Sequence, residues 1–257
     1  MPLEIVQIPV LSDNYVYLAH DPATGQTAAV DPAVAGPVLE EARRRGWTIT
    51  HILNTHHHGD HVGGNLEIKD ATGCVIVGPR ADSDRIPGID IALGDGDRFA
   101  LGSAEAEIFD VPGHTRGHIA YWFGGSDALF CGDTLFAMGC GRLFEGTPDQ
   151  MWTSLSKLLR LPDETRVYCA HEYTESNGRF ALSVEPDNAA LRQRMEEVRA
   201  RRAGGKPTVP SLLGEERRTN PFLRPGSAEI RRNLGLTDAD DIAVFARTRA
   251  LKDEFRG

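Results

Sequence analysis

Through the first two-thirds of the chain, apolar residues gather in short runs separated by turn formers. Gln26 to Val30, His51 to Asn54, Cys74 to Val77, Ala106 to Val111, Ile119 to Phe123, Ala128 to Cys131 and Arg166 to Cys169 read as strands. Helical stretches lie between them: Val34 to Arg45, Gly64 to Ala71 and Asp149 to Leu159. Gly46 follows the first and Pro162 lies just beyond the last, both stop signals. This alternation, with several hairpin-like pairs, predicts a mixed sheet system covered by helices.

After His171 the texture changes. Asn188 to Arg202 has helical periodicity and many charges until Gly204-Gly205-Lys206-Pro207 breaks it. Ser227 to Leu234 and Asp238 to Phe255 again predict helices, with Thr237 as a cap candidate. No internal repeat or low-complexity tract is present. The expected division is a layered domain over residues 1–174 and a helical C-terminal domain over 175–257.

Composition narrows the class. With 40% hydrophobic and 25% charged residues in 257, the chain has the make-up of a soluble globular protein able to bury a core. No apolar run reaches the roughly 18 residues that a membrane span needs, and Met1-Pro2-Leu3-Glu4 lacks a signal-peptide pattern, so a cytoplasmic location is expected. Cys74, Cys131, Cys140 and Cys169 are scattered without a Cys-x-x-Cys pair, and are expected to be reduced. The net charge of -9 is uneven: residues 1–175 carry 12 Lys/Arg against 25 Asp/Glu, and residues 176–257 carry 16 against 12. An acidic body argues against a nucleic-acid partner. The basic tail could hold a small anion.

The chemistry concentrates in Thr55-His56-His57-His58-Gly59-Asp60-His61. Residues two apart on an extended segment face the same side, so His56 and His58 can converge while His57 points away. The cluster follows a strand and runs into Gly63-Gly64, where the chain can turn sharply. Three other strands also end in candidates, His114, Asp133 and His171. Strand ends are a frequent place for active sites in layered α/β proteins, and imidazoles with carboxylates suit zinc, manganese or iron. His118 is expected to orient its own turn or a neighbouring ligand, and His20 and His51 have no such context.

Thr55 to Asn65 resembles the His-x-His-x-Asp-His motif of the metallo-β-lactamase superfamily. Pro112-Gly113-His114-Thr115-Arg116-Gly117-His118, Cys131-Gly132-Asp133-Thr134-Leu135-Phe136 and Ala170-His171-Glu172-Tyr173 resemble its later blocks, in order. Within the superfamily the chain is most similar to the hydroxyacylglutathione hydrolases (glyoxalase II). The resemblance implies a four-layered αββα sandwich, two mixed β-sheets flanked by helices, followed by the helical domain as a glutathione-binding unit. It implies that His56, His58 and His114 bind one divalent metal, that Asp60, His61 and His171 bind a second, and that Asp133 bridges both. Zinc is the expected ion, with iron or manganese accepted at either position.

The implied reaction is hydrolysis of S-(2-hydroxyacyl)glutathione, such as S-D-lactoylglutathione, by a metal-bridging hydroxide, the second step of methylglyoxal detoxification. A metal can bring a water's pKa from about 15.7 to near 7. A thiol, with an intrinsic pKa of about 8.5, leaves without a general acid. Arg142 and Tyr173 resemble glutathione contacts of the family, and Arg249 and Lys252, three apart on one helix, resemble its basic pair for the glycine carboxylate. Phe144 stands where a tyrosine is expected, which removes one hydrogen bond worth about 1 kcal/mol. The expected partner is a small glutathione thioester, with no nucleic acid or membrane, and a monomer or weak dimer as the assembly. Two rivals share the scaffold: a mononuclear-iron persulfide dioxygenase, which Leu143-Phe144-Glu145 and the long helical tail disfavour, and a non-catalytic metal-binding relative.

Overall fold

A computed structural model describes all 257 residues. The first sheet takes β1 (Glu4–Val10), β2 (Asn14–His20), β3 (Thr27–Val30), β4 (Ile49–Leu53), β5 (Val75–Pro79) and β6 (Ile91–Leu93), in that spatial order. β1, β2 and β3 pair antiparallel, and β3 to β6 run parallel. The second sheet uses β7 (Arg98–Leu101), β8 (Ala104–Asp110), β9 (Ile119–Phe123) and β10 (Ala128–Gly132). A small hairpin, β11 (Leu135–Phe136) and β12 (Gly139–Cys140), interrupts it before β13 (Arg166–Cys169) and β14 (Ser211–Leu212) complete the order β14-β13-β10-β9-β8-β7. Both sheets are mixed.

Side-chain alternation explains the layering. Along β2, Tyr15, Tyr17 and Ala19 enter the core between the sheets, where Tyr17 meets Phe130. Val16 and Leu18 face the other way, onto Val38 and Ala42 of α1 (Gly36–Arg45) and Ile68 of α3 (Asn65–Thr72). Each such buried aliphatic side chain contributes about 1.5–3 kcal/mol. Gly46 closes α1 at φ 71°, a conformation that favours glycine. Beyond the second sheet, α4 (Pro148–Leu158) adds Met151, Leu155 and Leu158. The result is an αββα sandwich with a helical region after it.

That region holds α5 (Thr174–Val184), α6 (Ala189–Ala203), α7 (Leu213–Thr219), α8 (Ala228–Leu234) and α9 (Asp241–Glu254). It shares the core of the sandwich: Phe180, Leu213, Phe222 and Phe245 join the same apolar cluster, and Phe245 lies 6.1 Å from Trp152 of α4. Its β14 pairs with β13 of the second sheet.

The structure departs from the sequence expectations in several places. Two strands, β1 and β2, precede the first expected one; Pro9 cannot donate to a ladder and is accommodated because β1 is an edge. α5 forms despite Gly178, since a Cβ there would come within 1.9 Å of Met195 Sδ on α6, and close packing outweighs propensity. The cap of α9 is Asp240, whose side chain accepts from Ala243 N, and not Thr237. Arg231 draws the carbonyls of Thr237 and Ala239 to itself and keeps that stretch a loop. Gly63 and Gly64 have ordinary dihedrals and serve close approach: an added Cβ would meet Ala33 O at 2.5 Å and Pro32 O at 2.8 Å. No helix is long and apolar enough to cross a membrane.

Candidate metal centre

Four chain segments deliver the candidates to one edge of the sandwich. β4 runs into His56 and His58, and a short helical turn, α2 (Gly59–Val62), carries Asp60 and His61. β8 leads to His114, β10 to Asp133 and β13 to His171. His56 Nε2 and His114 Nε2 each lie 3.1 Å from His58 Nδ1. Asp60, His61 and His171 form a second group whose ligand atoms all fall within 4.8 Å of one another. Asp133 stands between the groups. Its Oδ2 is 3.4 Å from His114 Nε2, and its Oδ1 is 3.4 Å from both His61 Nε2 and His171 Nε2.

Hydrogen-bond partners assign the imidazole tautomers. His114 Nδ1 donates to Arg142 O at 2.8 Å. His171 Nδ1 donates to Asp13 Oδ1 at 2.8 Å, and His61 Nδ1 to Asp31 Oδ2 at 3.1 Å. The Thr55 hydroxyl gives its proton to Asp31 Oδ2, so it accepts from His56 Nδ1. In all four rings Nε2 therefore points inward and is the atom left to take a metal. His61 Nε2 and Asp133 Oδ1 are buried without any hydrogen-bond partner, which costs free energy unless something else satisfies them. Converging ring nitrogens with an orphaned carboxylate oxygen suit a pair of divalent cations.

Electrostatics divides the two groups. Burial, reinforced by crowding imidazoles, holds His56 and His114 below the usual histidine range and His58 down to about 4, so these rings are neutral at pH 7. Burial opposes charge on His171 too, but Asp133, Asp13 and Asp60 outweigh it and lift the ring to about 9. His61 is raised in the same way by Asp133 and Asp31. Asp133 is itself buried, yet His61, His171 and His114 keep it ionised far below the carboxylate range. Cations entering the second group would displace protons from it.

His57 points away, to Asp82 Oδ2 at 3.1 Å. His118 is buried, and its Nε2 accepts from Asp133 N at 3.1 Å, fixing that residue's backbone. The sequence reading overlooked Asp31, Asp13 and Asn14. Asp31 groups with His56 and His61 by distance. Its oxygens are already taken by Thr55 N, the Thr55 hydroxyl and His61 Nδ1, so it orients ligands. Its place just after β3, like that of the ligands after their strands, was the available signal.

The centre opens into a cavity of about 450 Å³ that also reaches Arg142, Phe144, Tyr173, Arg249 and Lys252. Tyr173 stacks on His171 with centroids 4.9 Å apart. Phe144 is exposed and turns its ring edge-on to His58 and His114. Arg249 is buried, donating to Cys140 O at 2.8 Å and to Asp253 Oδ1 at 3.0 Å. Arg142 meets the same carboxylate oxygen at 3.2 Å. Lys252 Nζ reaches the Ser176 hydroxyl at 3.2 Å. One end of the cavity is thus cationic and the other is the His/Asp centre.

Residues 14–171 match the family described as the metallo-beta-lactamase superfamily, and residues 172–255 match the hydroxyacylglutathione hydrolase C-terminus. The chain is 66% identical over 255 residues to a hydroxyacylglutathione hydrolase of Methylococcus capsulatus, covering 99% of this chain and 100% of that one. It is 60% identical over 253 residues to one of Rhodospirillum rubrum, covering 98% and 99%. Among solved structures it is similar to ETHE1 from Myxococcus xanthus, with 26% identity, a TM-score of 0.67 and 98% of each chain covered.

Proposed function

The chain belongs to the hydroxyacylglutathione hydrolase family of the metallo-β-lactamase superfamily, and on that premise we propose that it cleaves S-(2-hydroxyacyl)glutathione thioesters, S-D-lactoylglutathione foremost. Water adds to the acyl carbon, the C–S bond breaks, and glutathione and the 2-hydroxy acid result. The observation that carries this reading is the junction of a two-part His/Asp centre with a cationic cavity end.

His56, His58 and His114 would hold one cation, and Asp60, His61 and His171 the other, with one oxygen of Asp133 toward each group. Zinc is our assignment, with iron or manganese accepted. When bound, such a pair acidifies a shared water toward neutral pH and polarises the thioester carbonyl. The remaining work belongs to the protein. Arg249 and Lys252 take the glycine carboxylate, Arg142 and Tyr173 contact the rest of the glutathione moiety, and Phe144 walls the cavity beside His58. Burial and three nearby carboxylates keep the Tyr173 phenol protonated, so it donates. The leaving thiolate needs no general acid.

We assign catalysis to residues 1–174 and glutathione binding to 175–257. With all four cysteines free and buried, we place the protein in the cytoplasm, acting as a monomer or weak dimer without nucleic-acid or membrane partners. Thiol release from S-D-lactoylglutathione tests the proposal: chelation should abolish it and added zinc restore it. Undiminished release by metal-free protein, or oxygen uptake on glutathione persulfide in its place, overturns it.

A further inference from the structure

Asp13 ends the turn between β1 and β2 and Asn14 opens β2, both outside every motif that resembles the superfamily. The turn starts at Leu11, an exposed residue with φ 52°, a backbone that non-glycine residues seldom adopt. Its far side is pinned to the centre. Glu172 N donates to Asp13 O at 2.9 Å, and Tyr15 N donates to Ala170 O at 2.7 Å.

The two side chains divide the second ligand group between them. Asp13 Oδ1 accepts from His171 Nδ1 at 2.8 Å, and Asn14 Nδ2 donates to Asp60 Oδ2 at 3.1 Å and to Asp60 O at 3.3 Å. Only His61 of that group is held from elsewhere, by Asp31. The first group receives nothing from this turn: Thr55 holds His56, and the Arg142 carbonyl holds His114. A carboxylate behind an imidazole fixes the ring and makes its free nitrogen a better donor. An amide on one lone pair of Asp60 Oδ2 leaves the other directed inward. Each group has one half-buried member, His58 in the first and Asp60 in the second, so it is the hydrogen bonds of Asp13 and Asn14 that set the second group apart.

We propose that the β1–β2 turn is a latch for the second cation alone, with Asp13 and Asn14 as positioning residues that set its affinity and release. The inference rests on the two-cation reading above. Loss of a hydrogen-bonded partner behind a ligand weakens metal binding about 10–100-fold, and here the loss falls on one cation of two.

The test compares the full-length protein with Asp13→Ala, Asn14→Ala and Asp13→Asn, each loaded with zinc. Zinc per chain is read by elemental analysis after gel filtration, and zinc release is followed with a chromophoric chelator. Wild type should hold two equivalents. Asp13→Ala and Asn14→Ala should keep one tight equivalent and bind the other about 10–100-fold more weakly. Asp13→Asn keeps an acceptor for His171 and should recover part of that loss; being near-isosteric, it serves if the alanine variants do not fold. Two unchanged equivalents, or equal weakening of both, overturn the latch. A single equivalent in wild type removes the two-cation reading itself.

Discussion

In the proposed site, Lys252 is the side chain expected to set the pH range of binding. Burial first, then the charges of Arg249, Arg179 and Arg142, bring its ammonium down to about 8. The sign follows from the protonation states. Below that value Lys252 is a cation facing the cavity, and above it the attraction for a carboxylate is lost. The KM for S-D-lactoylglutathione should therefore rise as pH climbs from about 7 to about 9, straddling this value, while Arg249 keeps its charge throughout. Lys252→Met should give a raised KM that no longer varies over this range. A wild-type KM flat in pH would remove Lys252 from substrate binding.

The β11–β12 hairpin is the element on which the cavity depends. It carries Phe136 and Cys140 into the wall and leads on to Arg142 and Phe144. The helical region holds it by buried polar groups. Glu216 Oε2 accepts from Met138 N at 2.8 Å, where the backbone has φ 53°. Asn220 donates to Phe136 O and Gly139 O, and Asn177 to Ala137 O. Glu216 is fully buried and paired with Arg194, which is 5% exposed. Breaking a buried pair costs about 3–5 kcal/mol, because the partner charge stays uncompensated. Glu216→Gln should lower unfolding free energy by about 3 kcal/mol, near the low end because Glu215 also reaches Arg194. Urea titration measures this. KM should rise more than kcat falls, since the hairpin shapes the cavity and carries none of the candidate metal ligands. The double change Arg194→Met with Glu216→Leu should recover only part of that stability, because Met138 N loses its acceptor, and should not recover KM.

At the scale of the whole molecule, the two regions share one core, with α9 against α4 and β14 extending the second sheet. The full chain should unfold in a single cooperative transition, with far-UV and near-UV signals coincident. Residues 1–174 expressed alone should lack near-UV structure, because removing Phe180, Leu213, Phe222 and Phe245 uncovers the inner face of the cluster they complete. Two separated calorimetric transitions would show that the regions fold independently. The chain division legible in composition, a body rich in acids followed by a basic tail, thus marks a change in charge. It says nothing of the packing beneath.

Chemistry local in the chain was legible from residue order alone. The His-x-His-x-Asp-His spacing on an extended segment, and three further strands ending in His or Asp, follow from side-chain periodicity, which needs no partner to be read. Half of the strands and most of the helices were legible for the same reason. Helices such as α5 were not, because packing on Met195 decides them. Only the tertiary structure decided which atoms face the centre. Imidazole tautomers depend on Asp31, Asp13, Thr55 and the Arg142 carbonyl, and Asp13 reaches His171 across 158 positions of chain. A hydrogen bond between residues so distant in sequence leaves no periodic trace; it exists only once the sheets have closed on each other.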